Sequence, residues 1–213
     1  MIDPSSIELH QFLAAWYGPP LSQGVTTSRE YLALPEPLQG WHALEARWPQ
    51  PLVRNKKLLT PGEMAIKGGK VVFMTDPGDA LWGFDPIRPD TVYEGRLYGE
   101  WKRLTETLAE FLVHNAINEA ASNAPHTKSC ESVKNEHVNQ IISPLTEVAF
   151  GEWHWPRPGH RLFMSDKVIA DVGPAMEDHE PWGDKPGYSE VQVGATNASA
   201  LTYLEDVPDT EWY

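Results

Sequence analysis

Lys67-Gly68-Gly69-Lys70-Val71-Val72-Phe73-Met74-Thr75-Asp76-Pro77-Gly78-Asp79-Ala80-Leu81-Trp82-Gly83-Phe84-Asp85 sets two short apolar runs between turn sequences. Adjacent glycines suit the primed turn of a two-residue hairpin, because both central residues there need positive φ. Asp76-Pro77-Gly78-Asp79 is a β-turn sequence. Val71–Thr75 and Ala80–Phe84 therefore read as strands, with Glu63–Ile66 as the partner across the glycine turn. A phosphate loop also carries glycines before a lysine. It needs Gly-Lys-Ser/Thr leading into a helix, so that N–H groups converge on the phosphates. Here Lys70 leads into Val71-Val72-Phe73, which is strand sequence.

Upstream, Asp3 or Ser5 caps a helix over about Ile7–Tyr17, with Pro4 in its first turn and Gly18-Pro19-Pro20 as its stop. A loop with Gly24 and Thr26-Thr27-Ser28 follows. Leu34-Pro35 then introduces a helix over about Glu36–Trp48, ended by Pro49. Downstream comes a short strand, Thr91–Tyr93. Trp101, Leu104, Leu108, Phe111, Leu112 and Ile117 then form an apolar stripe that predicts a helix from about Glu100 to Ala121. Ser122–Gln140 is polar without an apolar period and reads as a linker or exposed excursion. Beyond it the texture is β: Glu147–Trp155, Arg161–Met164, Lys167–Asp171, Ser189–Val193 and Leu201–Leu204, with Glu180–Gly187 as a loop. Helices and a meander followed by more strands give an α+β class rather than alternating βαβ.

Net charge is −13, and its distribution is uneven. Residues 1–57 are balanced, whereas residues 176–213 carry nine acids against Lys185 alone. Without a basic footprint the chain is not read as a nucleic-acid binder, nor as a ligand of anionic membranes. The acidic C-terminal third would instead steer a basic partner. One cysteine, Cys130, permits no intrachain disulfide and favours a reducing compartment. There is no long apolar run and no basic, apolar leader pattern at Met1–Gln11, so the chain reads as soluble and cytoplasmic.

No constellation selects a catalytic centre. Asp76, Asp79, Asp85 and Asp90 lack the alternating spacing and distal Glu of a calcium loop and read as turn formers; Asp76 and Asp79 also make a local negative spot for an Arg or Lys. Of eight histidines only His154 and His160 lie close together, six apart across a Pro-Gly turn, which matches no zinc pattern. Cys130 lies in the polar stretch and reads as an inactive loop thiol. No metal or cofactor is expected. If Phe150–Pro156 is a strand, Trp153 and Trp155 share a face, which either packs on the core or offers an aromatic platform to a protein or a sugar.

From Leu34 to Ala121 the order of features resembles the SUKH superfamily, whose bacterial members are largely immunity proteins of contact-dependent or polymorphic toxin systems and which includes the yeast cell-wall-synthesis regulator family. The resemblance lies in Leu34-Pro35 before Leu38 and Trp41, then Asn55 and Leu58. It continues through Gly69–Met74, Asp76 with Gly78-Asp79, the Trp82–Asp85 strand, and Leu108, Phe111 and Leu112. It implies an α+β fold with a strongly bent, mixed or antiparallel sheet packed with helices, used to bind protein and not for catalysis. The family supplies no catalytic residues to carry over.

The resulting expectation is a SUKH-like domain over 1–121, a polar linker over 122–140 and a β-rich acidic extension over 141–213 that either continues the same sheet or forms its own unit. The partner is expected to be a protein, such as a basic toxin domain. Its candidate contacts are Asp76, Asp79, Trp153, Trp155, Glu205, Asp206, Asp209 and Glu211. The rival readings are a hydrolase using carboxylates or His154 and His160, and a carbohydrate-binding module using Trp153 and Trp155.

Overall fold

The computed structural model describes residues 1–21, 30–151 and 153–213. The loop with Gly24 and Thr26-Thr27-Ser28 lies outside the described residues, as does Glu152. The fold is α+β, with two antiparallel sheets. The chain divides into two compact units: Ile7–Glu119 with Gly151–Trp155, and Met1–Ser6 with Ala120–Phe150 and Pro156–Tyr213. No described helix is long and apolar enough to cross a membrane.

In the first unit, helices α1 (Leu9–Tyr17) and α2 (Glu36–Glu45) precede strands β1 (Lys57–Leu58), β2 (Ala65–Lys67), β3 (Lys70–Thr75), β4 (Ala80–Phe84), β5 (Thr91–Arg96) and β6 (Lys102–Thr107). The sheet order is β1-β3-β4-β5-β6, with β2 also on β3. Lys67 pairs with Lys70, and Gly68 and Gly69 have φ of 53° and 75°, the left-handed pair that the primed turn requires. Asp76 closes the next turn by accepting from the Ala80 N–H at 2.8 Å. Both faces of the sheet are covered. On one, Phe73 and Trp82 pack on Phe111, with ring centroids 5.5 and 6.3 Å away. On the other, Leu59, Val72 and Leu81 gather Met64 and Trp101. The Trp101 indole lies so close to Gly95 that a Cβ there would sit 2.7 Å from its Cε3 atom.

The helix expected over Glu100–Ala121 is corrected. Its first part is β6, paired to β5 through Tyr93↔Arg103 and Thr91↔Thr107, and helix α3 runs only over Leu108–Asn123. In β6 the inward residues are Leu104 and Glu106, so the alternation is hidden by a charged residue at a buried position. The boundary is a capping box. The Thr107 Oγ1 accepts from the Glu110 N–H at 3.3 Å, while Glu110 Oε2 accepts from the Thr107 N–H at 2.8 Å. Thr107→Ala is expected to lower stability by about 1 kcal/mol in urea unfolding, and an unchanged midpoint would contradict the cap.

In the second unit, β7 (His126–Lys134), helix α4 (Asn135–Ile142), β8 (Thr146–Glu147), β9 (Arg161–Met164), β10 (Val168–Met176) and β11 (Asp184–Ala195) follow in sequence. The sheet order is β7-β11-β10-β9-β8. These strands form a separate sheet and do not continue the first. The linker expected over 122–140 is corrected to β7 and α4. Its inward set is only Cys130 and Val133 on the strand and Val138 and Ile141 on the helix, too sparse to register as an apolar period. Cys130 is thus a buried core residue rather than a loop thiol. The expected loop over Glu180–Gly187 is shorter, because β11 begins at Asp184. Leu201–Leu204 lies in a 3-10 helix over Ala198–Asp206 rather than a strand; the Asn197 side chain starts it by accepting from the Ala200 N–H at 3.0 Å. Leu201 and Leu204 still face the core with Val191, Val193, Phe163 and Ile141.

Candidate functional site

The tryptophan-rich segment is no strand beyond β8, and Trp153 is only 4% exposed, so of the two readings core packing holds for Trp153. Its burial has a polar cause. An indole carries one donor, and Glu106, held inward by β6, supplies a buried acceptor for it. Glu106 Oε2 accepts from Trp153 Nε1 at 2.8 Å, while its Oε1 accepts from the Gly151 N–H at 2.9 Å and meets His114 Nδ1 at 2.7 Å. The Trp153 ring then stacks on His114 and Phe111, with centroids 3.7 and 4.9 Å apart.

A second buried charge lies in the same unit. Lys56 and Glu119 side chains are both 0% exposed, with Nζ 3.3 Å from Oε1. Lys56 also donates to Asn118 Oδ1 at 2.7 Å and sits 3.9 Å from the centre of the Trp155 ring. Glu119 Oε2 accepts from the Arg54 and Asn55 N–H groups at 2.8 and 3.0 Å. Burying such a pair is favourable only when both ions are fully hydrogen-bonded, and here one carboxylate fixes both the lysine and the 54–55 backbone. Glu106 and Glu119 thus use their oxygens to hold chain segments in place.

The remaining sequence candidates separate in space and role. Asp76 Oδ2 accepts from Trp155 Nε1 at 3.0 Å, so Asp76 serves a turn and anchors the half-buried Trp155. Asp79 is exposed and pairs with Arg96 at 2.5 Å. Glu94 accepts from the His154 N–H at 3.0 Å, and burial pushes its carboxyl upward despite that bond. His154 belongs to the first unit and His160 to the second. Among the described residues no group of three or more His, Cys, Asp or Glu side chains is arranged to hold a metal ion.

His160 belongs instead to a charged chain across β10 and β11 that local sequence spacing does not announce. Its Nδ1 lies 2.9 Å from Asp171 Oδ1 and its Nε2 3.1 Å from Glu190 Oε1. Arg157 reaches the other Glu190 oxygen at 3.0 Å, Asp184 at 3.1 Å and the Pro174 carbonyl. Burial opposes protonation of His160, but the two carboxylates overcome it and push its pKa up to about 9. A folded pKa above the unfolded value near 6.5 stabilises the fold fully below about pH 6.5, and that contribution is lost as pH rises through about 9. Urea unfolding of the wild type is therefore expected to lose about 2 kcal/mol more between pH 6.5 and 9.5 than His160→Gln loses. Parallel pH profiles for the two proteins would contradict this.

The acidic candidates are all at the surface of the second unit. Glu205 and Asp206 end the 3-10 helix, and Asp209 and Glu211 follow it. Glu205 lies 3.6 Å from Lys128 and Asp209 lies 2.7 Å from Lys134, whose ammonium holds the Asp209 carboxyl below its usual value. Asp206 and Glu211 make no ion pair among the described residues. Tyr213 exchanges both backbone hydrogen bonds with Ser129 at 3.0 Å, which holds this segment along β7. Compared with the models of known families, with curated proteins and with solved structures, the chain matches none.

Proposed function

We propose that the chain is a SUKH-like, immunity-type interaction protein of the cytoplasm that binds a basic protein partner, such as a toxin domain, and neutralises or regulates it without catalysis of its own. The observation that carries this reading is the acidic excess of residues 176–213, nine acids to one base, with Glu205, Asp206, Asp209 and Glu211 all exposed on one unit. Lys128 and Lys134 offset Glu205 and Asp209, and Asp206 and Glu211 add charge without an ion pair among the described residues. Such a field raises the association rate of a basic partner and disfavours acidic ones. The order of features from Leu34 to Ala121, with its resemblance to immunity proteins, supports the same class.

The test is a pull-down at low salt with the products of neighbouring genes, expected to recover a basic protein. Recovery of none would count against the reading. With a partner in hand, the combined Glu205→Gln, Asp206→Asn, Asp209→Asn and Glu211→Gln variant is expected to slow association about fivefold at low salt and to flatten its salt dependence. Unchanged rates would remove these four side chains from the contact.

A further inference from the structure

The β10–β11 hairpin ends in Glu177–Gly183, closed by the Met176↔Asp184 pair and by the Glu177 N–H, which donates to the Gly183 carbonyl at 2.9 Å. Here Trp182 is 62% exposed and Met176 is 41% exposed. An indole stabilises a fold by being covered, so one left largely exposed at a hairpin tip rimmed by acidic residues points to a surface completed by something else. Glu177, Asp178, Glu180 and Asp184 surround the tip in sequence. Lys185 holds Asp178 at 3.0 Å and Arg157 holds Asp184 at 3.1 Å, while Glu177 and Glu180 make no ion pair among the described residues.

We propose that this tip is the docking knob for the basic partner, receiving an Arg or Lys side chain on the Trp182 indole within a rim of carboxylates. A cation over a tryptophan face is attracted by the ring quadrupole, and neighbouring carboxylates add charge-assisted hydrogen bonds. Trp and Arg are the residue types that dominate interface energetics. Charge selects this occupant over a second copy of the chain, which would bring a net charge of −13 and the same acidic tip. The inference rests on the interaction reading above and gives that reading an anchor.

The experiment is calorimetric titration of the full chain at low salt with a short peptide of alternating Arg and Gly, for the wild type and Trp182→Ala. The wild type is expected to bind. Trp182→Ala should bind about tenfold more weakly at an unchanged melting midpoint, since its side chain lies in water. Equal affinity of Trp182→Ala and wild type would overturn the knob while leaving the interaction reading to the pull-down. No binding by the wild type would overturn the knob as well. Concentration-dependent dimerisation abolished by Trp182→Ala would overturn it in favour of a second copy.

Discussion

Glu119→Leu is expected to lower the unfolding free energy by about 3–5 kcal/mol, the range for breaking a buried ion pair from one side. Lys56 would keep Asn118 and the Trp155 face but lose the Glu119 carboxylate at 3.3 Å, with its ammonium still out of water. The Arg54 and Asn55 N–H groups would lose their acceptor in the same step. Adding Lys56→Met removes the buried ammonium as well and should recover part of the loss, because an apolar replacement of a buried pair is often neutral. Recovery should stay incomplete, since the two backbone donors remain without Glu119. Urea unfolding of the single and double variants measures this directly. A loss below about 1 kcal/mol for Glu119→Leu would mean that the pair is not buried as described.

Glu106→Ala is expected to cost about 3 kcal/mol, because one truncation removes the acceptor of the Gly151 N–H and of Trp153 Nε1 and the group that meets His114 Nδ1. Its local effect should exceed its global one. Gly151–Trp155 is tied down through these bonds, so hydrogen exchange there should speed up before the rest of the unit loosens. Trp153→Phe keeps the ring stack and removes the donor, and should cost only about 1 kcal/mol. Equal costs for Glu106→Ala and Trp153→Phe would assign the stability to the ring stack rather than to the carboxylate.

The sheet of the first unit was legible where the signals are local. Gly68-Gly69 demands positive φ, Asp76 caps a turn, and Val71–Thr75 and Ala80–Phe84 are apolar runs of strand length. Glu106 defeated the same reading because a charge at an inward position mimics a surface residue and lengthens the apparent helix. Thr107 and Glu110 held the correction in plain sight as a capping box. Ser122–Gln140 failed for the opposite reason: four inward residues over a strand and a helix are too few to show a period. The tryptophans illustrate a limit of composition. Trp153 is buried because of an acceptor 47 positions away, and Trp182 is exposed on a hairpin that its own sequence reads as loop. The Asp171–His160–Glu190–Arg157–Asp184 chain depends on the pairing of β10 with β11, which no local pattern encodes.

The candidate contacts divide along the same line. Asp76 and Trp153 turned out to hold the fold, and Asp79 pairs with Arg96. The acidic side chains from Glu205 to Glu211 stay exposed, because Asp and Glu in water need no long-range partner to keep them there.

The proposed neutralisation of a basic partner by binding can be measured by co-expression with the basic protein that the pull-down recovers, scored as growth of the host. The wild-type chain is expected to restore growth and to form a stable complex with that protein, and the complex is expected to weaken as salt rises. Failure to restore growth while the chain is folded and abundant, or rescue that persists without any complex, would contradict it.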